Sequence, residues 1–348
     1  MKECTRSAAI FVIFVLILPG CNKDDRIIAP VDTPTGGGST TTSSTVYTAH
    51  VLFTEPWGAA DAMSELTALA YDPATDLLFW VKGRHQLNNE LMRYNFSNGQ
   101  IEDVYSFESQ YDYGLRVFGT DLWIVRTYDT SLVKLSSLAS TSLVVQAQYT
   151  PMGPQPSFHD VNDIAMVNGD LYYVTGNFLV IPKYEGLQCL RGPNYSSIDR
   201  VTPVLWSPSN YANDRSIVAV GTGPNAKLVI ATGAYATKNL TTPTSLELRD
   251  LSGNLIRSQE GYGYTYLHTD SKNRIYATQT YHSPMRILRW SENLETKEVF
   301  SVKTSLALEN CPRHLFVVRE RRPDSVDVIM TEYCASRSPV FEIVTLPK

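Results

Sequence analysis

Asp76-Leu77-Leu78-Phe79-Trp80-Val81, repeated in kind at Asp121-Leu122-Trp123-Ile124-Val125 and Asp170-Leu171-Tyr172-Tyr173-Val174, is the stretch whose recurrence decides the fold. Each copy starts at a turn residue and runs into leucine and then aromatic or β-branched residues, the composition of a short buried strand. Looser copies stand at Lys227-Leu228-Val229-Ile230-Ala231-Thr232, Asn273-Arg274-Ile275-Tyr276-Ala277-Thr278 and Asp327-Val328-Ile329-Met330-Thr331. Their spacing of roughly 45 to 57 residues suits propeller blades of four strands each. Six copies predict an all-β protein, a six-bladed β-propeller.

Other strand-like runs flank each copy. Leu66 to Tyr71 precedes the first, and Leu91 to Phe96 and Ile101 to Phe107 follow it, separated by turn residues such as Asp72-Pro73 and Asn98-Gly99. No long amphipathic helical stretch competes, and two stacked sandwiches would not produce the recurrence. The last group holds only three strands, ending with Val340 to Leu346, whereas Val46 to Phe53 belongs to no group. The amino-terminal strand is therefore expected to complete the last blade and remove an exposed sheet edge. Glu185 to Ser197, with Cys189 and Gly192-Pro193-Asn194, reads as an irregular insertion that caps one face of the third group.

Spread over Val46 to Leu346, the strand pattern resembles the six-bladed YWTD and NHL-type propellers. The likeness is one of spacing: the full Tyr-Trp-Thr-Asp tetrad and the Gly-His and Trp-Asp marks of WD40 repeats are absent. It implies a ligand at the mouth of the central channel, where loops lead into the innermost strands.

A second resemblance covers only the start of the chain. Lys2 and Arg6 precede the apolar run Ala8 to Leu18, which is too short to span a membrane, and Leu18-Pro19-Gly20-Cys21 closes it. This segment resembles the signal of bacterial lipoproteins. It implies cleavage before Cys21, diacylglycerol on the Cys21 sulfur, an acylated amino terminus and attachment to a lipid bilayer through several chains. Lys23-Asp24-Asp25 is similar to the acidic export signal of surface lipoproteins in Bacteroidetes-type bacteria. The expected layout is a signal peptide over 1–20, a flexible Pro/Gly/Ser/Thr-rich tether over 21–45 and a propeller over 46–348, in the cell envelope and anchored in the outer membrane.

The formal net charge of −5 argues against nucleic acid as a partner, because phosphate backbones need a basic surface. Of the five cysteines, Cys4 leaves with the signal and Cys21 carries lipid. Cys311 and Cys334 lie equally far from the Arg322-Pro323 turn of an expected hairpin, Arg313 to Arg319 with Val326 to Tyr333. They are read as a disulfide, with Cys189 free and buried, against the alternative of three buried thiols.

Candidate ligand-binding residues at the mouth are Arg116, His159, Asp163, Tyr264, His268, Tyr281, His282, Arg313 and His314. Imidazoles from several blades, helped by Asp160 or Asp163, suit a divalent metal or acid–base work, yet none has compact ligand spacing. Tyr262, Tyr264 and Tyr266 alternate so that a regular strand places them on one face with His268. Such aromatic faces suit sugars, but they equally suit packing between blades. Asn95-Phe96-Ser97, Asn194-Tyr195-Ser196 and Asn239-Leu240-Thr241 match glycosylation acceptors by chance in a bacterial protein. The leading reading is a non-enzymatic, membrane-tethered module that binds a protein or glycan. The alternative is a channel-mouth hydrolase or lyase, acting on a small ester, lactone or sugar through His159, Asp163, His268 and His314.

Overall fold

The computed structural model describes residues 39–57, 64–84, 88–108, 113–126, 131–140, 143–149, 163–175, 186–196, 198–201, 215–232, 244–261, 264–279, 284–306, 314–332 and 338–348. The chain enters through β1 (Ser39–Thr48) and β2 (His50–Thr54). Blade 1 then comprises β3 (Ser64–Asp72), β4 (Leu77–Arg84), β5 (Asn88–Asn95) and β6 (Gln100–Glu108). Blade 2 is β7 (Tyr113–Phe118), β8 (Asp121–Arg126), β9 (Ser131–Ser136) and β10 (Val144–Tyr149). Blade 3 is β11 (Ile164–Val167), β12 (Asp170–Thr175), β13 (Gly186–Leu190) and β14 (Ile198–Arg200). Blade 4 is β15 (Arg215–Val220), β16 (Lys227–Thr232), β17 (Thr244–Asp250) and β18 (Leu255–Gly261). Blade 5 is β19 (Tyr264–Thr269), β20 (Ile275–Gln279), β21 (Met285–Trp290) and β22 (Thr296–Lys303). Blade 6 is β23 (His314–Arg319), β24 (Ser325–Glu332) and β25 (Val340–Pro347).

These strands form six sheets. The first strand of each blade touches the first strand of the next, and β23 returns to β3, so the ring is closed. The six repeated motifs are the second strands. Their turn residues meet a backbone need: Asp76 (φ 58°), Gly119 (φ 63°), Asn168 (φ 53°) and Asn273 (φ 58°) adopt the left-handed conformation that Gly, Asn and Asp tolerate best.

Both faces of a second strand are covered by neighbouring blades, which is why the motif is apolar throughout. In β4, Phe79 and Val81 pack toward blade 2, whereas Leu78 and Trp80 pack toward blade 6. In β8, Leu122 and Ile124 return the contact to blade 1 while Trp123 and Val125 face blade 3. The apolar core accordingly divides into six layers, one per seam between blades. Burial of these side chains supplies the main stabilisation, about 1.5–3 kcal/mol for each large apolar residue.

Polar clasps reinforce the seams. Arg93 on β5 donates to Leu138 O at 2.7 Å on blade 2. Arg289 on β21 reaches the Pro347 carbonyl of blade 6. Arg319 on β23 grips Asp76 of blade 1 through two 2.8 Å bonds. Tyr71 Oη also donates to Asp76, at 2.7 Å. Burial pushes the Asp76 carboxyl up, but hydrogen bonds from Arg319, Arg321 and Tyr71 outweigh it and hold the group well below the usual carboxylate range.

β2 pairs antiparallel with β25, Thr54 opposite Val340, and supplies the missing fourth strand of blade 6 as expected. Glu55 follows it into a buried site, where it accepts the indole N–H of Trp80 at 2.8 Å. Two details differ from the sequence reading. The segment expected as a single strand, Val46 to Phe53, divides at Ala49. Its first part belongs to β1, a parallel fifth strand on blade 5, and β1 begins at Ser39, inside the 21–45 span read as flexible. The cause is backbone pairing: Ser39 to Thr42 match Thr296 to Val299 in register, which requires no apolar pattern in the added strand.

The segment 185–197 is not an inserted cap either. Gly186 to Leu190 is the third strand of blade 3, and Leu187, Cys189 and Leu190 are fully buried. The following turn closes against the neighbouring turn, with Tyr195 Oη donating to Gly169 O at 2.8 Å. Gly192 is required there, because a Cβ would sit 2.2 Å from Gly169 O. Among the described residues the only helical piece is the 3₁₀ turn Gly223–Asn225. No described helix is long and apolar enough to cross a membrane.

Candidate functional site

The inner strands bring Arg116, Asp163, Ser216 and Leu267 together on the axis of the ring. Arg116 lies in β7, Asp163 directly precedes β11, Ser216 is the second residue of β15 and Leu267 lies in β19, so four blades contribute. Arg116 donates to Asp163 through Nε at 2.6 Å and Nη2 at 2.5 Å, a two-pronged ion pair. Its Nη2 also reaches Leu267 O at 2.8 Å. Asp163 accepts the backbone N–H of Ile164 at 2.9 Å and of Ile217 at 3.1 Å, and the Ser216 hydroxyl. Ser216 Oγ in turn accepts the Leu267 N–H at 2.9 Å.

Both carboxylate oxygens are therefore occupied several times over within the chain. The side chains of Arg116 and Asp163 keep 13% and 4% of their surface exposed. Among the described residues, a small opening of about 20 Å³ beside them is walled by Ala68, Leu115, Arg116, Asp163, Tyr266 and Phe316. It has room for about one water-sized group. Arg116 and Asp163, both expected as candidate ligand-binding residues, are paired with each other between the inner strands.

His268 lies on β19, with Nδ1 3.3 Å from Thr269 O and its ring 6.2 Å from that of Phe316. Enclosure by protein, and next the positive charge of Arg116, lower its pKa to about 3; the residue as a whole is half-buried. The imidazole is thus neutral at neutral pH.

The regular alternation expected from Tyr264 to His268 is interrupted, and Tyr262 lies outside the described residues. Tyr264 is opposite Gln279 but Leu267 is opposite Ala277, so the register slips between them. One extra residue on β19 re-aims the side chains that follow it. Tyr266 then packs partly buried against the layers between blades 5 and 6 and between blades 6 and 1, while Leu267 is buried between blades 4 and 5.

Tyr264 and His314 stand at the first positions of β19 and β23, where His314 pairs with Glu332. Cys21, His159, Tyr281, His282, Cys311, Arg313 and Cys334 lie outside the described residues. Cys189 is free and buried, and burial pushes its thiol up to about 11. Among the described residues no group of three or more His, Cys, Asp or Glu is arranged to hold a metal ion.

Sequence reasoning missed Ser216 and the Leu267 carbonyl. The first is a common residue with no motif around it, and the second is backbone.

No protein-family model and no curated protein matches the chain. Solved structures do match over most of its length. A protein of unknown function from Dyadobacter fermentans is 10% identical with a TM-score of 0.53, over 86% of this chain and 99% of that one. A gluconolactonase from Xanthomonas campestris is 10% identical with a TM-score of 0.51, over 86% and 97%. A glutaminyl cyclase from Myxococcus xanthus is 14% identical with a TM-score of 0.40, over 87% and 98%. At such identities the first two show what this chain shares with them as a fold alone: the six-bladed β-propeller.

Proposed function

We propose that the chain is a lipoprotein of the cell envelope, anchored in the outer membrane through acylated Cys21, whose propeller binds a protein or glycan at the end of the ring where the inner strands begin. The observation that carries this reading is the pairing of Arg116 with Asp163 between the inner strands. Asp163 is engaged inside the chain by Arg116, Ser216 and two backbone N–H groups, and the described space beside the pair has room for about one water-sized group. The ring then works as a rigid frame, and recognition falls to its outer surface, as fold alone does not dictate chemistry. The basic start, short apolar run and Leu18-Pro19-Gly20-Cys21 support the anchor.

The test pairs two measurements on the full-length protein in detergent. Mass spectrometry of the mature amino terminus should find acyl chains on Cys21, absent in Cys21→Ser. Glycan and peptide arrays should yield a specific ligand. An unmodified terminus, or no ligand together with turnover of a small ester or lactone, would overturn the reading.

A second reading, hydrolase or lyase chemistry, draws support from His268 alone. A neutral imidazole on a half-buried residue is competent to accept a proton. Loss of any such turnover, or of a stoichiometric divalent ion, in His268→Ala would favour it.

A further inference from the structure

The strand that brings the chain into the ring also fixes the end from which the tether emerges. β1 runs parallel to β22, with Ser39 opposite Thr296 and Thr48 opposite Lys303. Thr296 opens β22 directly after a turn closed by the bond from Ser291 N to Thr296 O at 3.1 Å. Because successive strands of each blade are antiparallel, the turns between first and second strands and between third and fourth strands share one end of the ring. Ser39 starts at that turn end. Tyr113, Ile164, Arg215, Tyr264 and His314, where inner strands begin, mark the opposite end together with the Arg116–Asp163 pair.

We infer that the ring stands on its bilayer turn end down, so that the opposite end is offered to a partner lying beyond the anchoring membrane, in solution or on a facing surface. The inference rests on the lipid-anchor reading above. The seventeen residues from 22 to 38 include Pro30, Pro34, Thr33, Thr35 and Gly36-Gly37-Gly38, and a flexible chain of that length has a root-mean-square reach of about 23 Å. An inner strand of six residues already rises about 20 Å. To turn the ring over, the tether must first run that distance back along its flank. For a Gaussian coil this lowers the statistical weight about threefold.

At the turn end, the carboxylates of two turns are engaged within the chain. Asp250 accepts from Ser252 N, Asn254 N and Asn254 Nδ2, all within its own turn. Asp270 does the same for Lys272 N, Arg274 N and Arg274 Nε. Carboxylates held this way offer little to an anionic lipid surface or to a ligand, which suits a face turned toward headgroups.

The experiment places an environment-sensitive fluorophore on single engineered cysteines of the full-length lipoprotein, reconstituted into vesicles that carry a spin label on the lipid headgroup. Thr120→Cys and Asn225→Cys mark exposed turn-end positions, and Lys303→Cys marks an exposed position at the end of β22, on the other side. Labelling of the parent protein gives the background from native cysteines, and two turn-end sites guard against one variant failing to fold. The expected result is quenching about threefold stronger at residues 120 and 225 than at 303. Equal or reversed quenching in protein that floats with the vesicles would overturn the orientation and leave the anchor standing. Protein that fails to float, like its Cys21→Ala control, would overturn the anchor and the orientation with it.

Discussion

The guanidinium of Arg116, on blade 2, donates to the backbone carbonyl of Leu267, on blade 5, at 2.8 Å. In a ring of six blades these two stand across the axis from one another, so one side chain spans the channel. With Asp163 on blade 3 and Ser216 on blade 4, it ties four blades at the centre.

Because the pair is largely buried, removing one member leaves an uncompensated charge. Arg116→Met should destabilise the fold by about 3–5 kcal/mol in urea titrations. Adding Asp163→Asn should recover part of that loss, since it removes the buried charge while the single amide oxygen keeps one of the two backbone bonds, from Ile164 N or from Ile217 N. Strictly additive losses would mean that the two side chains do not act as a pair.

Acid should weaken the protein in two steps. His268 has a folded pKa of about 3, below its ordinary 6.5, so the unfolded chain binds the extra proton first. Its neutral form favours the fold above about pH 6.5, and stability falls as pH drops from there toward 3. Asp76, depressed below the usual carboxylate range, adds its own loss only below about pH 4. The urea midpoint of the wild type should therefore drop between pH 6.5 and 4, and that of His268→Gln should drop less. Parallel pH profiles would show that His268 is not held neutral by the fold.

Cys189 has a thiol pKa raised to about 11 by burial, and the thiolate is the reactive form. The folded protein should leave Cys189 unmodified by iodoacetamide at neutral pH, and denaturant should expose it within minutes. The same peptide maps, run without reductant, should contain a linked peptide joining Cys311 to Cys334. A linkage that includes Cys189 would contradict the pairing.

Ring closure depends on β2 and on Glu55 behind it. Glu55→Ala should cost about 1–3 kcal/mol by leaving the Trp80 N–H buried without that acceptor. Removing residues through 38 should leave the melting temperature unchanged. Removing residues through 57 should bare the edge of β25 and drive the domain to aggregate, as light scattering would show.

The second strands were legible because Leu77 to Val81 and their counterparts are buried from both sides, and a seam on each side demands an unbroken apolar run. β2 was legible by arithmetic, from a blade short of one strand. β1 was not: a Ser/Thr strand that pairs through its backbone, with Tyr47 packed 5.8 Å from Phe300, carries no apolar period. At the axis, Arg116 and Asp163 could be singled out as polar residues beside inner strands. Their pairing across 47 positions could not, since it depends on how far one blade is rotated against the next. The slip between Tyr264 and Leu267 likewise has no local signature, and it interrupts the alternation read from the sequence there.

The closed ring is proposed to recognise its partner at the end where the inner strands begin. Hydrogen–deuterium exchange of the full-length protein, with and without the best ligand from the arrays, tests it most directly. Slower exchange at the starts of β7, β11, β15, β19 and β23 is the predicted result. Protection confined to the turns at 72–76, 270–274 and 320–324 would contradict it.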